Sequence, residues 1–193
     1  MVDRRNVLKL GAAGMAGMLV HLPGRGLGAA ALGDFRHSLA RAVFDERFDE
    51  CLAFADELGR RGVVTSGIRG DVATLWYGDL RVRATRSPAP IAGLTDRVAL
   101  FCLEELARDV GMKVCFRVDH LIEANGHVRH EAAGPTWIVD AARTLAPESG
   151  FGRAMAVLAS HVPVSQPGEI TAQKRTGPFS PGNRTALVSW VIA

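Results

Sequence analysis

Between residues 39 and 118 the sequence repeats one pattern: a short apolar run, a turn, and a segment whose apolar side chains recur every three or four residues. A chain patterned this way buries its strands in a sheet and covers that sheet with the amphipathic helices between them. The first strand is expected over Leu39–Phe44. A helix follows from about Glu46 to Leu58, with Phe44, Phe48, Cys51, Leu52, Ala55 and Leu58 along one stripe. Val63, Val64 and Thr65 form the next short strand, closed by the glycine-marked turn Ser66–Asp71. Asp71 then caps a short helix through Tyr77, and Arg81–Pro90 reads as a strand followed by an exposed connection.

Pro90–Leu94 is another strand. Thr95 is placed to cap the strongest helix of the chain, Asp96–Val110, whose apolar residues are Val98, Leu100, Cys102, Leu103, Leu106 and Val110, with Gly111 as its stop. Met112–Val118 is apolar and extended, and Asn125-Gly126 marks a two-residue hairpin turn into His127–Ala132. Helices are expected around 136–145 and 152–161. The closing run Ala186–Ala193 is apolar on both faces, as an interior strand requires. The expected fold is a single α/β domain over residues 32–193, with a mixed, mostly parallel sheet flanked by helices and one β-hairpin.

In open α/β sheets ligands sit beyond the carboxyl ends of the strands. Those ends are expected at Asp45-Glu46, at Ser66 to Asp71, at Gly93 to Asp96 and at Asp119-His120. This places Asp71, Asp119 and His120 as the catalytic candidates, with His120 as acid or base. Gly93, Thr95, Arg69 and Trp76 are the ligand-binding candidates. A two-residue turn would set His120 opposite Glu131 on one face, where a carboxylate raises and orients an imidazole. His127 then lies about 13 Å along the strand at roughly 3.3 Å per residue, too far to complete a metal site in the hairpin. Gly67-x-x-Gly70 lacks the spacing of a dinucleotide fingerprint, and neither a P-loop nor a G-x-S-x-G nucleophile elbow is present. Cys51, Cys102 and Cys115 form no C-x-x-C pair and read as small core hydrophobes. No metal and no cofactor is assigned.

The first 31 residues have a different character. Arg4, Arg5 and Lys9 precede a glycine-diluted apolar run from Val7 to Leu22, and small residues follow at Ala29, Ala30 and Ala31. Arg4-Arg5-x-x-Leu8-Lys9 resembles a twin-arginine (Tat) signal, with Ala29-x-Ala31 as the cleavage site. The resemblance covers residues 1–31 alone. It implies recognition by the Tat translocase, export of an already folded protein to the periplasm or beyond, and contact with the membrane only through the leader.

The chain carries 23 basic and 20 acidic residues, a net charge of +3. Arg4, Arg5, Lys9 and Arg25 against Asp3 supply all of that excess, so residues 32–193 balance at zero. A neutral body has no electrostatic footprint for nucleic acid or anionic lipid. Its length suffices to bury close to ~70% of the unfolded surface without disulfides. Residues 163–185, with four prolines and three glycines beside Lys174, Arg175 and Arg184, read as a long loop. Such a loop serves either as a partner-contacting arm or as a lid. Two functions stay open: an exported accessory or small subunit of a larger redox partner, and a free-standing enzyme or small-molecule binder with its site at the strand ends.

Overall fold

A computed structural model of the chain describes residues 39–134, 136, 139, 140, 142, 150–162 and 185–193. The leader, most of the helix expected over 136–145, and residues 163–184 of the long loop lie outside the described residues.

Six strands form one sheet in the order β2-β1-β3-β6-β4-β5. Strands β1 (Arg41–Asp45), β2 (Thr65–Ile68) and β3 (Ile91–Asp96) are parallel, while β4 (Val114–Ile122), β5 (Val128–Ala133) and β6 (Thr185–Ile192) join through antiparallel pairings. The sheet is therefore mixed but not mostly parallel, since three of its five pairings are antiparallel. The reason lies in β6. It enters between β3 and β4, and an apolar run with both faces buried has the same pattern in either direction.

Helices cover both faces. On one lie α1 (Asp49–Arg60) and α5 (Phe151–Ala159), packed on Ala42, Leu94, Phe116, Val118, Leu187 and Val191. On the other lie α4 (Arg97–Arg108) and a helical run made of α2 (Ala73–Leu75), a π-helical turn (Trp76–Leu80) and α3 (Arg81–Arg86), packed on Val43, Ile91, Val188, Trp190 and Ile192. Among the described residues no helix is long and apolar enough to cross a membrane.

Several expected boundaries move for identifiable reasons. Residues 81–86 are helical rather than extended. The alternation of Val82 and Ala84 with polar residues mimics a strand, but Trp76, Leu80 and Ala84 fall one helical turn apart and are buried together. Arg83 pairs with Asp79 at 2.5 Å, and Thr85 bonds back to the Arg81 carbonyl at 2.8 Å. The second strand is Thr65–Ile68 rather than Val63–Thr65, and Val64 is exposed. In α1 the buried stripe is Cys51, Phe54, Ala55 and Leu58, so Phe54 takes the core position expected of Leu52. In α4 the cap is Asp96, whose carboxylate accepts from the Ala99 N–H at 2.8 Å, and not Thr95. That cap turns Ala99, Leu100, Leu103 and Ala107 inward, and Val98 and Cys102 outward.

Candidate functional site

The carboxyl ends of β1 and β3 lie side by side. Helix α1 leaves β1 toward one face of the sheet and α4 leaves β3 toward the other. The crevice between two such departures is where open α/β sheets accept ligands. Here Arg47 fills it. Its guanidinium grips the wholly buried Asp45 through Nε at 2.9 Å and Nη2 at 2.5 Å, and Nη2 also reaches Asp96 at 2.6 Å. The Arg47 backbone N–H adds a bond to Asp45 at 3.1 Å. Hydrogen bonds to Asp45 first and Asp96 second push the Arg47 pKa upward.

The glycines of Gly67-x-x-Gly70 make room for this cluster. A Cβ on Gly67 would overlap the Glu46 side chain, and one on Gly70, where φ is +86°, would press on the Arg47 guanidinium at 3.2 Å. Arg69 is exposed and pairs with Glu46 at 3.1 Å. Asp45 and Glu46 were legible as a strand end, and Arg47 was not, because nothing local shows that its side chain folds back over the strand.

A second polar cluster lies under α5. The hairpin loop contains three residues instead of two: Gly126 donates to the Glu123 carbonyl at 2.9 Å and adopts φ +84°. A three-residue loop closed by a left-handed glycine is a standard hairpin form. It shifts the register by one residue, so His120 pairs with His130 and Asp119 with Glu131. The expected His120–Glu131 pair does not exist. His120 is 0% exposed; its Nδ1 lies 2.6 Å from Nδ1 of His130 and its Nε2 lies 2.7 Å from Oγ of Ser189, itself 2% exposed. Phe151, the first residue of α5, stacks on the His120 ring at 4.3 Å and meets the His130 ring edge-on at 5.2 Å. Burial, and secondarily the neighbouring His130, hold the His120 pKa well below 6.5. Ser189 carries a signal that could have located it: it is the one polar residue inside the apolar run Leu187–Ile192.

The remaining sequence candidates are dispersed. Asp119 and His120 are inside β4, which extends to Ile122, and they point to opposite faces. Asp119 is clamped by Arg117 and Arg97, each at 2.9 Å, and its bonds raise the Arg117 pKa. Asp71 is not the cap of α2, whose N-cap position is Val72; it accepts from the Ala73 N–H at 2.8 Å in the turn before the helix and sits beyond β2, four strand spacings from β4, or about 19 Å at roughly 4.8 Å each. The trio Asp71, Asp119 and His120 therefore forms no common site. Gly93 is within β3 rather than at its end, and Trp190 of the adjacent strand lies across it. Thr95 is buried, accepting from Trp190 Nε1 at 3.1 Å and donating to the Asp96 carbonyl at 3.0 Å. Trp76 is core, and the turn it begins leaves Tyr77 exposed. Of the ligand candidates only Arg69 reaches solvent.

The cysteines divide. Cys51 is buried and its thiol is pushed up to about 12 by burial, while burial raises Cys115 to about 11. Cys102, expected in the core, is exposed on α4 beside Val98 at 67% and Phe101 at 62% exposure. These three positions are spaced i, i+3 and i+4, so they form one outward apolar strip in the first turns of the helix. An open groove of about 600 Å³ lies elsewhere, between α1 and the edge strand β2, lined by Phe44, Leu52, Asp56, Arg60 and Thr65. No known protein family, curated protein or solved structure matches the chain.

Proposed function

We propose that the protein is an accessory or small subunit, exported folded through the Tat system, that docks on a larger partner through the outward face of α4. The observation that carries this reading is the strip Val98, Phe101 and Cys102. A helix that already buries Ala99, Leu100, Leu103 and Ala107 gains nothing from placing a valine and a phenylalanine in water. Grouped exposed apolar residues of this kind mark contact surfaces. The resemblance of Arg4-Arg5-x-x-Leu8-Lys9 to a Tat signal supplies the compartment and the requirement for prior folding. It also supplies the class of partner, a larger redox protein, since that pathway serves passengers that acquire cofactors or subunits before export. The test is affinity purification of the exported chain beside its Val98→Asp, Phe101→Asp variant. A stoichiometric partner retained by the wild type and lost by the variant, at unchanged melting temperature, is expected. A wild type that elutes as a free monomer overturns the reading.

The crevice between β1 and β3 favours a second reading, a small-molecule binder or enzyme working at the strand ends. Arg47 is the group to displace there, and a ligand carrying one cationic and one anionic group would replace it between Asp45 and Asp96 while engaging the freed guanidinium. Ligand-induced thermal shifts that vanish in Arg47→Gln would favour this reading over the first.

A further inference from the structure

We propose that the outer edge of β2 and the groove beside it dock an extended peptide segment of a partner protein, one that shows basic, apolar and basic side chains in turn to α1. The ladder indicates which backbone groups are on offer. The Ala42 N–H donates to the Val64 carbonyl and the Glu46 N–H to the Ile68 carbonyl, each at 2.9 Å. Residues of a parallel strand bond alternately to one side and the other. Val64, Ser66 and Ile68 therefore turn to β1, and Thr65 and Gly67 turn outward. Each of these two carries one N–H and one C=O, and among the described residues no strand lies beyond them. Edges are closed by brevity, lysine, proline or a bulge, and of these β2 has only brevity. A peptide that adds a strand takes affinity from such backbone groups and specificity from pockets for its alternate side chains.

The pocket is the groove of about 600 Å³ between α1 and β2. Thr65 and Gly67 pair with Ala42 and Phe44, so all four lie on the sheet face that α1 covers. Phe44 and Leu52 line the groove, and Leu52 is left 45% exposed beside it. The charge on α1 selects what flanks an apolar side chain placed there. Asp49, Leu52 and Asp56 recur at i, i+3 and i+7, on one face of the helix. The two carboxylates stand about 10.5 Å apart along the axis at ~1.5 Å per residue. Among the described residues neither has an ion-pair partner. Arg60, at the end of the lining, is taken by Glu57 at 2.7 Å. On a strand, basic residues two positions either side of an apolar one are about 13 Å apart, which brackets the two carboxylates. A second copy paired edge to edge does not supply these charges, because Thr65–Ile68 contains no basic residue.

The site is independent of the α4 surface. It is tested on the full chain with the blocked heptapeptide Thr-Arg-Thr-Leu-Thr-Arg-Thr and a counterpart in which glutamate replaces both arginines. The arginine peptide should bind one to one and slow amide hydrogen exchange at Thr65 and Gly67. Asp49→Lys combined with Asp56→Lys should weaken it about 10-fold and move the preference to the glutamate peptide. Leu52→Ser, at a half-exposed position, should weaken both peptides about 10-fold without lowering the melting temperature. No binding up to about 1 mM peptide, equal affinity for the two peptides, or binding that leaves Thr65 and Gly67 unprotected would overturn the site. Protection of Thr65 and Gly67 that rises with protein concentration alone would make a second copy the occupant, and would overturn it too.

Discussion

At the scale of single residues, the interior holds one charged group, Asp45, and one imidazole kept neutral, His120. Asp45 is a wholly buried carboxylate whose charge is met by Arg47, so Arg47→Ala should cost about 2–3 kcal/mol in urea unfolding at neutral pH, because it strands an anion in the core. A loss below about 0.5 kcal/mol would mean that water reaches Asp45. His120 is held neutral, chiefly by burial and then by His130, with its folded pKa below 6.5. The unfolded chain binds a proton below about pH 6.5 that the folded chain refuses. Stability should therefore be fully present above pH 6.5 and decline as pH falls from there toward the folded pKa, by up to about 1.4 kcal/mol per pH unit for this one proton. Melting temperatures measured from pH 7 to pH 5 should fall in the wild type, and the slope should flatten in His120→Gln. A flat wild-type profile would contradict the buried, neutral imidazole.

At the scale of elements, the contact between α1 and α5 depends on one missing side chain. The Glu50 carboxylate accepts from the Gly150 and Gly152 N–H groups at 2.8 and 2.7 Å, capping α5 from the neighbouring helix. A Cβ on Gly152 would stand 2.0 Å from the Glu50 carbonyl oxygen, so Gly152→Ala should cost about 2–3 kcal/mol by forcing the helices apart. Gly59→Ala, with nothing within 4 Å, should be neutral or stabilising by up to about 1 kcal/mol. Comparable thermal shifts in the two variants would show that the crossing is loose. The same distinction explains what could be read in advance. The β1, α1, β3, α4 and β6 elements were legible because hydrophobic period is a local property. The direction of β6 was not, since Leu187–Ile192 is apolar whichever way it runs. The phase of the α4 stripe was misjudged because Val98 and Cys102 fit a helical period as well as Ala99 and Leu103 do; the Asp96 cap decides between them. One loop residue separated the expected His120–Glu131 pair from the observed His120–His130 pair, and with it a solvated acid–base couple from a buried imidazole cluster.

At the scale of the whole molecule, the body is electrically balanced, its strand-end crevice is filled by its own Arg47, and the two most exposed of its large apolar side chains among the described residues, Val98 and Phe101, share one face of α4. The proposed accessory role makes its predictions at this scale. Residues 1–31 fused to a reporter should carry it out of the cytoplasm only when the Tat apparatus is intact, and Arg4→Lys with Arg5→Lys should retain it inside. The most direct measurement is native mass spectrometry of the chain recovered after export. The expected result is a leader-free chain, cut after Ala31, held in a stoichiometric complex that Phe101→Asp dissolves. A leader-free chain that is monomeric in the wild type and unaltered by Phe101→Asp would contradict it.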